Sequence, residues 1–206
     1  MYTLFIRMPT TPRRYELKER ARRLQETRQK IIDATEALHR EVGPARTTIA
    51  EIARRAGVGR VTVYNHFPDE RTLLAACSAQ FIAGSPPPDP SAWAPIADPD
   101  ERLRHALREL YGYFRANEPM LANVTRDAAL IPALAELLGS AEAAAHEQAM
   151  RAILLDGRGV HGSRKTRTQA AIGLALAFGT WQRLAATEQL TDEAAAELMT
   201  GAVACA

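Results

Sequence analysis

Six prolines fall within the seventeen residues GSPPPDPSAWAPIADPD, 84–100, a density that excludes a regular helix or a central strand there. Proline fixes φ and has no N–H to donate, so the stretch must be a stiff connection. It divides the chain into two parts, each helical in pattern. Trp93 lies inside it, and the area gained by burying its ring predicts that it tucks against the second part.

Ahead of the prolines, residues 15–42 contain no Gly or Pro, and Leu17, Leu24, Ile31 and Leu38 recur every seven residues. With Ile32, Ala34 and Ala37 widening the stripe, this predicts one long amphipathic helix closed by Gly43-Pro44. Its first half is densely basic, carrying Arg13, Arg14, Lys18, Arg20, Arg22, Arg23, Arg28 and Lys30. Thr48 and Glu51 form a capping-box pattern, in which the Thr hydroxyl accepts from one free backbone N–H and the Glu reaches back to another. A short helix, 49–56, is predicted to follow, with Ile49, Ile52, Ala53 and Ala56 on one face and Gly57 ending it. Only eight residues then separate Gly59 from Pro68. The β-branched run Val61-Thr62-Val63 within them is predicted as a third helix, 60–67, because context overrides propensity. Asp69 can cap a fourth, 70–83, with Leu73, Leu74, Cys77 and Phe81 facing inward.

Beyond the prolines the pattern predicts helices over 101–117, 119–130, 132–155, 165–187 and 192–205, with DGRGVHGS at 156–163 as a loop. Pro119 and Pro132 suit helix first turns. The segment AAIGLALAFGTWQRLA is small and apolar around most of its circumference, so it should be covered on several sides, one of them by a second copy of the chain. Leu174, Phe178, Trp181 and Leu198 are the candidate dimer contacts. The expected fold is all-α, about nine helices. Residues 1–16 are read as a flexible arm, 17–68 as an N-terminal unit, and 69–206 as a C-terminal dimerisation unit that includes the 84–100 loop.

Charge separates the same two parts. The 206 residues carry a formal net charge of +2, but residues 1–75 hold 15 Lys/Arg against 9 Asp/Glu and residues 76–206 hold 11 against 15. A basic module on an acidic remainder suits a polyanion partner for the first part only. The two cysteines, Cys77 and Cys205, are far apart and form no C-x-x-C pair, and the scattered His39, His105, His146 and His161 share no helical spacing. No disulfide, metal or cofactor is expected, and a reducing cytoplasm fits. MYTLFIRMP lacks a signal-peptide core and no apolar run has membrane-spanning length; Met8 is a second candidate start.

Two short helices joined by a Gly-containing turn make a helix-turn-helix, which sets its second helix in a DNA major groove. Arg60 suits a bidentate contact to guanine, and Val61 or the Thr62 methyl a thymine methyl. Tyr64, Asn65 and His66 carry donors for flanking phosphates, and Thr47 and Thr48 start a helix whose free N–H groups suit another. The inward residues are Ile52, Val58, Val63 and Phe67. The segment TTIAEIARRAGVGRVTVYNHFPDERTLL resembles the N-terminal signature of the TetR family of bacterial transcriptional repressors. Thr48, Ile52, Ala53, Ala56, Gly57, Val58, Tyr64, His66, Phe67, Leu73 and Leu74 carry the resemblance.

That resemblance implies a two-domain homodimer. Its first three helices would bind a palindromic operator, its middle helices enclose a small-molecule effector, and its final pair form a four-helix dimer bundle. Tyr111, Phe114, Met120, Leu121, Asn123, Val124, Arg126 and Asp127 fall on helices that would line the effector pocket. Two positions depart from the pattern. Gly59 replaces the usual Ser or Ala and should loosen the turn. Glu70 replaces a phosphate-binding Lys, with Arg71 as its neighbour. An enzyme on a helical bundle is the rival reading, yet no G-x-S-x-G, H-E-x-x-H or repeated Glu-x-x-His pattern supports it. A non-specific nucleoid-binding protein would have no need of the acidic second part.

Overall fold

The computed structural model describes residues 12–206. The candidate start at Met8 and residues 1–11 of the expected arm lie outside the described residues. Residues 12–16 are helical: Pro12, whose missing N–H costs nothing in a first turn, opens the first helix.

Every regular element among the described residues is helical. The order is α1 (Pro12–Glu41), α2 (Ile49–Ala56), α3 (Arg60–His66), α4 (Glu70–Gly84), α5 (Pro99–Asp127), α6 (Pro132–Leu138), α7 (Ala141–Leu155), α8 (Gly162–Leu176), α9 (Phe178–Gln182) and α10 (Asp192–Ala204). A π turn, Arg183–Thr187, extends α9. Helices α1 to α4 close over Ile31, Leu38, Ile52, Val63, Phe67 and Leu73. A second core gathers Trp93, Leu107, Tyr111, Ile172, Trp181 and Val203 from α5, α8, α9, α10 and the proline-rich segment. Helix α4 serves both parts, because Leu73 packs into the first core while Leu74 meets Ile131 and Leu134 in a small third cluster.

Several expectations change. Of the heptad stripe on α1 only Ile31 and Leu38 are buried; Leu17 and Leu24 are exposed, since no other described helix reaches the first half of α1. The break expected at Pro119 does not occur, and α5 runs through it. The bond that its ring forfeits is to the carbonyl of Arg115, an exposed residue where water can replace it, while burial of Phe114, Asn117 and Met120 holds the turns on either side. Conversely, the single helix expected over 132–155 divides at Gly139-Ser140, where the Ser140 hydroxyl accepts from the Ala143 N–H at 3.3 Å and starts α7 afresh. The helix expected over 165–187 begins earlier, at Gly162, and breaks at extended Ala177. That break turns Phe178 and Trp181 onto Phe114, with ring centroids 5.4 and 5.9 Å away.

The proline-rich segment is anchored. Trp93 is fully buried, and its Nε1 donates to the Glu109 carboxylate at 2.6 Å. Arg102, 4% exposed, donates to the carbonyls of Ile96 at 2.8 Å, Ile153 at 2.7 Å, Asp156 at 3.1 Å and Ala97 at 3.3 Å. A guanidinium can be buried here because it meets carbonyls at the C-terminal end of α7, where the helix dipole is negative. Arg158 ties the same end back, donating to Asp100 at 2.8 Å and to the Pro99 carbonyl at 2.7 Å. Replacing Arg102 by Met would strand these carbonyls in an apolar setting. Arg102→Met is expected to lower unfolding free energy by about 2–4 kcal/mol, read from urea melts, whereas Arg104→Met, whose half-buried guanidinium pairs only with the exposed Glu101 and Glu197, should cost under about 1 kcal/mol.

Candidate nucleic-acid interface

The turn between α2 and α3 is built as its glycine requires. Gly57 takes the left-handed conformation, φ 68°, and the Val58 N–H donates to the Ala53 carbonyl at 3.0 Å. Gly59 sits at φ −78°, ψ 152°, a conformation open to any residue, so the looser turn expected there is not found. At the start of α2 the Thr48 hydroxyl accepts from the Glu51 N–H at 3.2 Å. The reciprocal half of the expected capping box is absent, because Glu51 instead accepts from Arg54 Nε at 2.9 Å.

Burial then separates the two faces of α3. Val63 and Phe67 are buried and Val58 half-buried, while Arg60, Val61, Tyr64 and Asn65 are exposed and Thr62 and His66 half-exposed. Val61 at 72% exposure and Tyr64 at 53% are apolar area that the monomer leaves in water. Among the described residues, no side chain from Arg60 to His66 has a hydrogen-bond or ion-pair partner, whereas nearby Arg54 and Arg55 are engaged by Glu51 and Glu41. Arg28 stacks over the Phe67 ring, 4.9 Å from its centroid, and braces the end of α3 against α1. Thr47 is half-buried and its hydroxyl donates to the Gly43 carbonyl at 2.8 Å, so its contribution to this surface is backbone; Thr48 is exposed. Arg46, which sequence reasoning passed over, is exposed beside them and has no carboxylate partner among the described residues.

The residues expected to line an effector pocket separate into three places. Tyr111 and Phe114 are buried in the second core, where Phe114 also lines a smaller cavity of about 420 Å³ and the Tyr111 hydroxyl donates to the Ala175 carbonyl at 2.9 Å. Met120, with Leu121 and Val124, lines a cavity of about 680 Å³ between α4, α5, α6 and the start of α7. Sequence reasoning missed most of its wall, including Leu74, Ser78, Ile82, Leu134, Leu137 and His146, because no local pattern marks residues that meet only across four helices.

Asn123, Arg126 and Asp127 do not line that cavity; they hold the end of α1. Asn123 Nδ2 donates to the carbonyls of His39 and Arg40, both at 3.0 Å. Arg126 donates to the Val42 carbonyl at 3.1 Å, and Asp127, 2% exposed, accepts from the Ala45 N–H at 2.9 Å. The Arg126 guanidinium holds the Asp127 carboxyl below its ordinary pKa. Gly43, φ 93°, lies so close that a Cβ there would collide with Arg126 and Asp127. Of the candidate dimer contacts, Leu174 and Leu198 are exposed, Phe178 is half-buried, and Trp181 is buried with its Nε1 donating to Asp192 at 2.8 Å.

Residues 31–77 match the model of the bacterial regulatory proteins, tetR family. The N-terminal domain of this chain belongs to that family. The tetR-type segment is 44% identical over 54 residues to an uncharacterized HTH-type transcriptional regulator of Mycobacterium tuberculosis (strain CDC 1551 / Oshkosh), 26% of this chain and 29% of the relative. It is 46% identical over 56 residues to the HTH-type transcriptional regulator BetI of Serratia proteamaculans, 27% of this chain and 28% of BetI. The alignments thus span less than a third of these relatives' length. Over most of the chain the likeness is one of fold. A Clostridium perfringens putative fatty acid metabolism regulator superposes with TM-score 0.62 at 14% identity, over 85% of this chain and 97% of that one. A TetR-like transcriptional regulator from Rhodococcus sp. RHA1 does so with TM-score 0.61 at 20% identity, over 86% and 93%.

The position next to the tetR-type domain's turn into α4 bears on its charge. Glu70 is exposed in the first turn of α4, whose cap is the Asp69 carboxylate accepting from the Thr72 N–H at 2.7 Å. Its neighbour Arg71 points instead to Glu136 on α6, with which it makes an exposed ion pair. Glu70→Lys is therefore expected to tighten binding to duplex DNA at low salt, with a steeper salt dependence by roughly one counterion per site. Unchanged or weaker binding in a fluorescence-anisotropy titration would refute this.

Proposed function

We propose that the protein is a ligand-responsive DNA-binding transcriptional regulator. It acts in the cytoplasm as a homodimer on a palindromic operator, as a repressor that a small molecule releases. The observation that carries the reading is the outward face of α3, where Arg60, Val61, Tyr64 and Asn65 stand exposed and uncommitted above a buried Val63 and Phe67. Arg60 and Thr62 read base edges, Val61 meets a thymine methyl, and Tyr64, Asn65, His66 and the start of α2 at Thr47 and Thr48 meet phosphates. Dimerisation through the exposed Leu174 on α8 and Leu198 on α10 would set two copies of α3 about 34 Å apart, one helical turn of DNA.

The release mechanism rests on two grips that hold α1. One is the polar grip of Asn123, Arg126 and Asp127 from α5. The other comes from α4, where Gln80 donates to Asp33 and Glu36, each at 2.9 Å, and Cys77 lies 3.7 Å from His39. Both gripping helices also line the 680 Å³ cavity. A molecule that fits the cavity in only one α4–α5 arrangement shifts α1, and with it the spacing of the recognition helices, by as much as its preference for that arrangement allows.

Arg60→Ala and Thr62→Ala are each expected to weaken binding to the cognate palindrome by about 1–3 kcal/mol while leaving binding to random duplex nearly unchanged. Equal losses on both DNAs would favour a non-specific binder. Asn123→Ala is expected to keep ligand binding and to reduce the change in operator affinity that ligand produces, measured as the ratio of operator Kd values with and without it. An unchanged ratio would remove the α5 grip from the mechanism.

A further inference from the structure

The 680 Å³ cavity is not isolated. A second cavity of about 420 Å³ adjoins it, between α5, α7 and α8, and both are lined by Pro87, Tyr113, Ala143 and His146. Those four residues form a waist between two compartments. The walls on either side are apolar: Leu74, Val124 and Leu134 in the larger, Leu110, Met150 and Leu176 in the smaller. At the waist, Tyr113 and His146 are half-buried, and neither ring has a hydrogen-bond partner among the described residues. They are polar groups without partners where the two largely apolar linings meet.

Of the His, Arg and acidic side chains in the lining, only His146 at the waist and Glu142 at the rim lack a partner among the described residues. His39 is 6% exposed, and desolvation brings its pKa down to about 4, so it is neutral near pH 7. Burial likewise pushes the Cys77 thiol up to about 12. Arg151 already holds Glu147 and donates to the Gln169 carbonyl at 3.4 Å. Glu142 is exposed at the start of α7, so an ammonium meeting it would remain in water, where a pair is worth little. Burying an unpaired ion in such walls is costly, whereas an uncharged apolar body meets no such penalty.

We infer that the ligand of this protein is an uncharged, elongated molecule, apolar along most of its length, whose hydrogen-bonding group lies at the Tyr113–His146 waist while its body occupies both compartments. This rests on the regulatory reading above only in calling that ligand the effector; the site and its chemistry stand on the cavities.

The test is displacement of N-phenyl-1-naphthylamine, a neutral apolar fluorophore, from the full chain without DNA. Decan-1-ol is expected to displace it at a concentration at least about tenfold lower than decanoate or decylammonium. Along hexanol, octanol, decanol and dodecanol, displacement should strengthen at every step. Val124→Trp, which fills the larger compartment, should abolish probe binding in a protein that still melts cooperatively. Tyr113→Phe should cut the advantage of decanol over decanoate several-fold without weakening the probe. An equal or better carboxylate or ammonium, a plateau at hexanol, or a fluorophore that binds Val124→Trp as well as the parent overturns the inference. If the displacement order holds but decanol leaves operator affinity unchanged, the ligand class is supported and the regulatory reading fails instead.

Discussion

The two halves of this protein depend on how the C-terminal end of α1 is satisfied. A helix ends with carbonyls that have no partner of their own, and at a junction between packed elements water cannot serve them all. Here α5 supplies the donors: Asn123 takes the carbonyls of His39 and Arg40, and Arg126 takes that of Val42. Asp127 then accepts from Ala45 and neutralises Arg126, so the junction is closed in donors, acceptors and charge. Each such bond contributes about 1 kcal/mol, but breaking one strands a half-buried carbonyl and costs more. Gly43 is necessary to the arrangement, because its positive φ turns the chain and its missing side chain leaves room for Arg126 and Asp127.

Helix α4 makes the second connection. Its residues alternate between the α1–α3 core, through Leu73, and the cluster with Ile131 and Leu134, through Leu74. A rigid element shared by two cores cannot shift against one without disturbing the other, since packed interiors do not deform continuously. The larger cavity lies against this shared helix and against the stretch of α5 just before the polar grip. A site placed there acts on both connections at once. The proline-rich segment is pinned to the second core by Trp93, Arg102 and Arg158, and its Pro87 lines both cavities.

Local order was legible wherever the physical cause is local. The Gly57 turn, the Thr48 and Asp69 caps and the inward set Ile52, Val63, Phe67 and Leu73 follow from a few adjacent residues, and the structure places them as expected. The exposed face of α3 was legible for the same reason, being what remains once those apolar residues turn inward. Reasoning from local signals failed where distant partners decide. Pro119 reads as a helix start but sits mid-helix, because Phe114, Asn117 and Met120 are buried on either side of it. Leu17 and Leu24 continue a heptad, yet nothing among the described residues comes near enough to cover them.

The second half shows the division most plainly. By itself the sequence determined that the described chain is helical, that prolines interrupt it between α4 and α5, and that a helix-turn-helix presents Arg60, Val61 and Tyr64, because these depend on periodicity, caps and breakers within a few turns. Only tertiary structure decided what Asn123, Arg126 and Asp127 are for. Read along the chain they are polar residues on a helix expected to face a ligand, and in space they are the cap of a helix some eighty residues earlier. It alone also decided the cavities, since a void is defined by which side chains from α4, α5, α6, α7 and α8 fail to fill the space between them. No pattern within one helix records that.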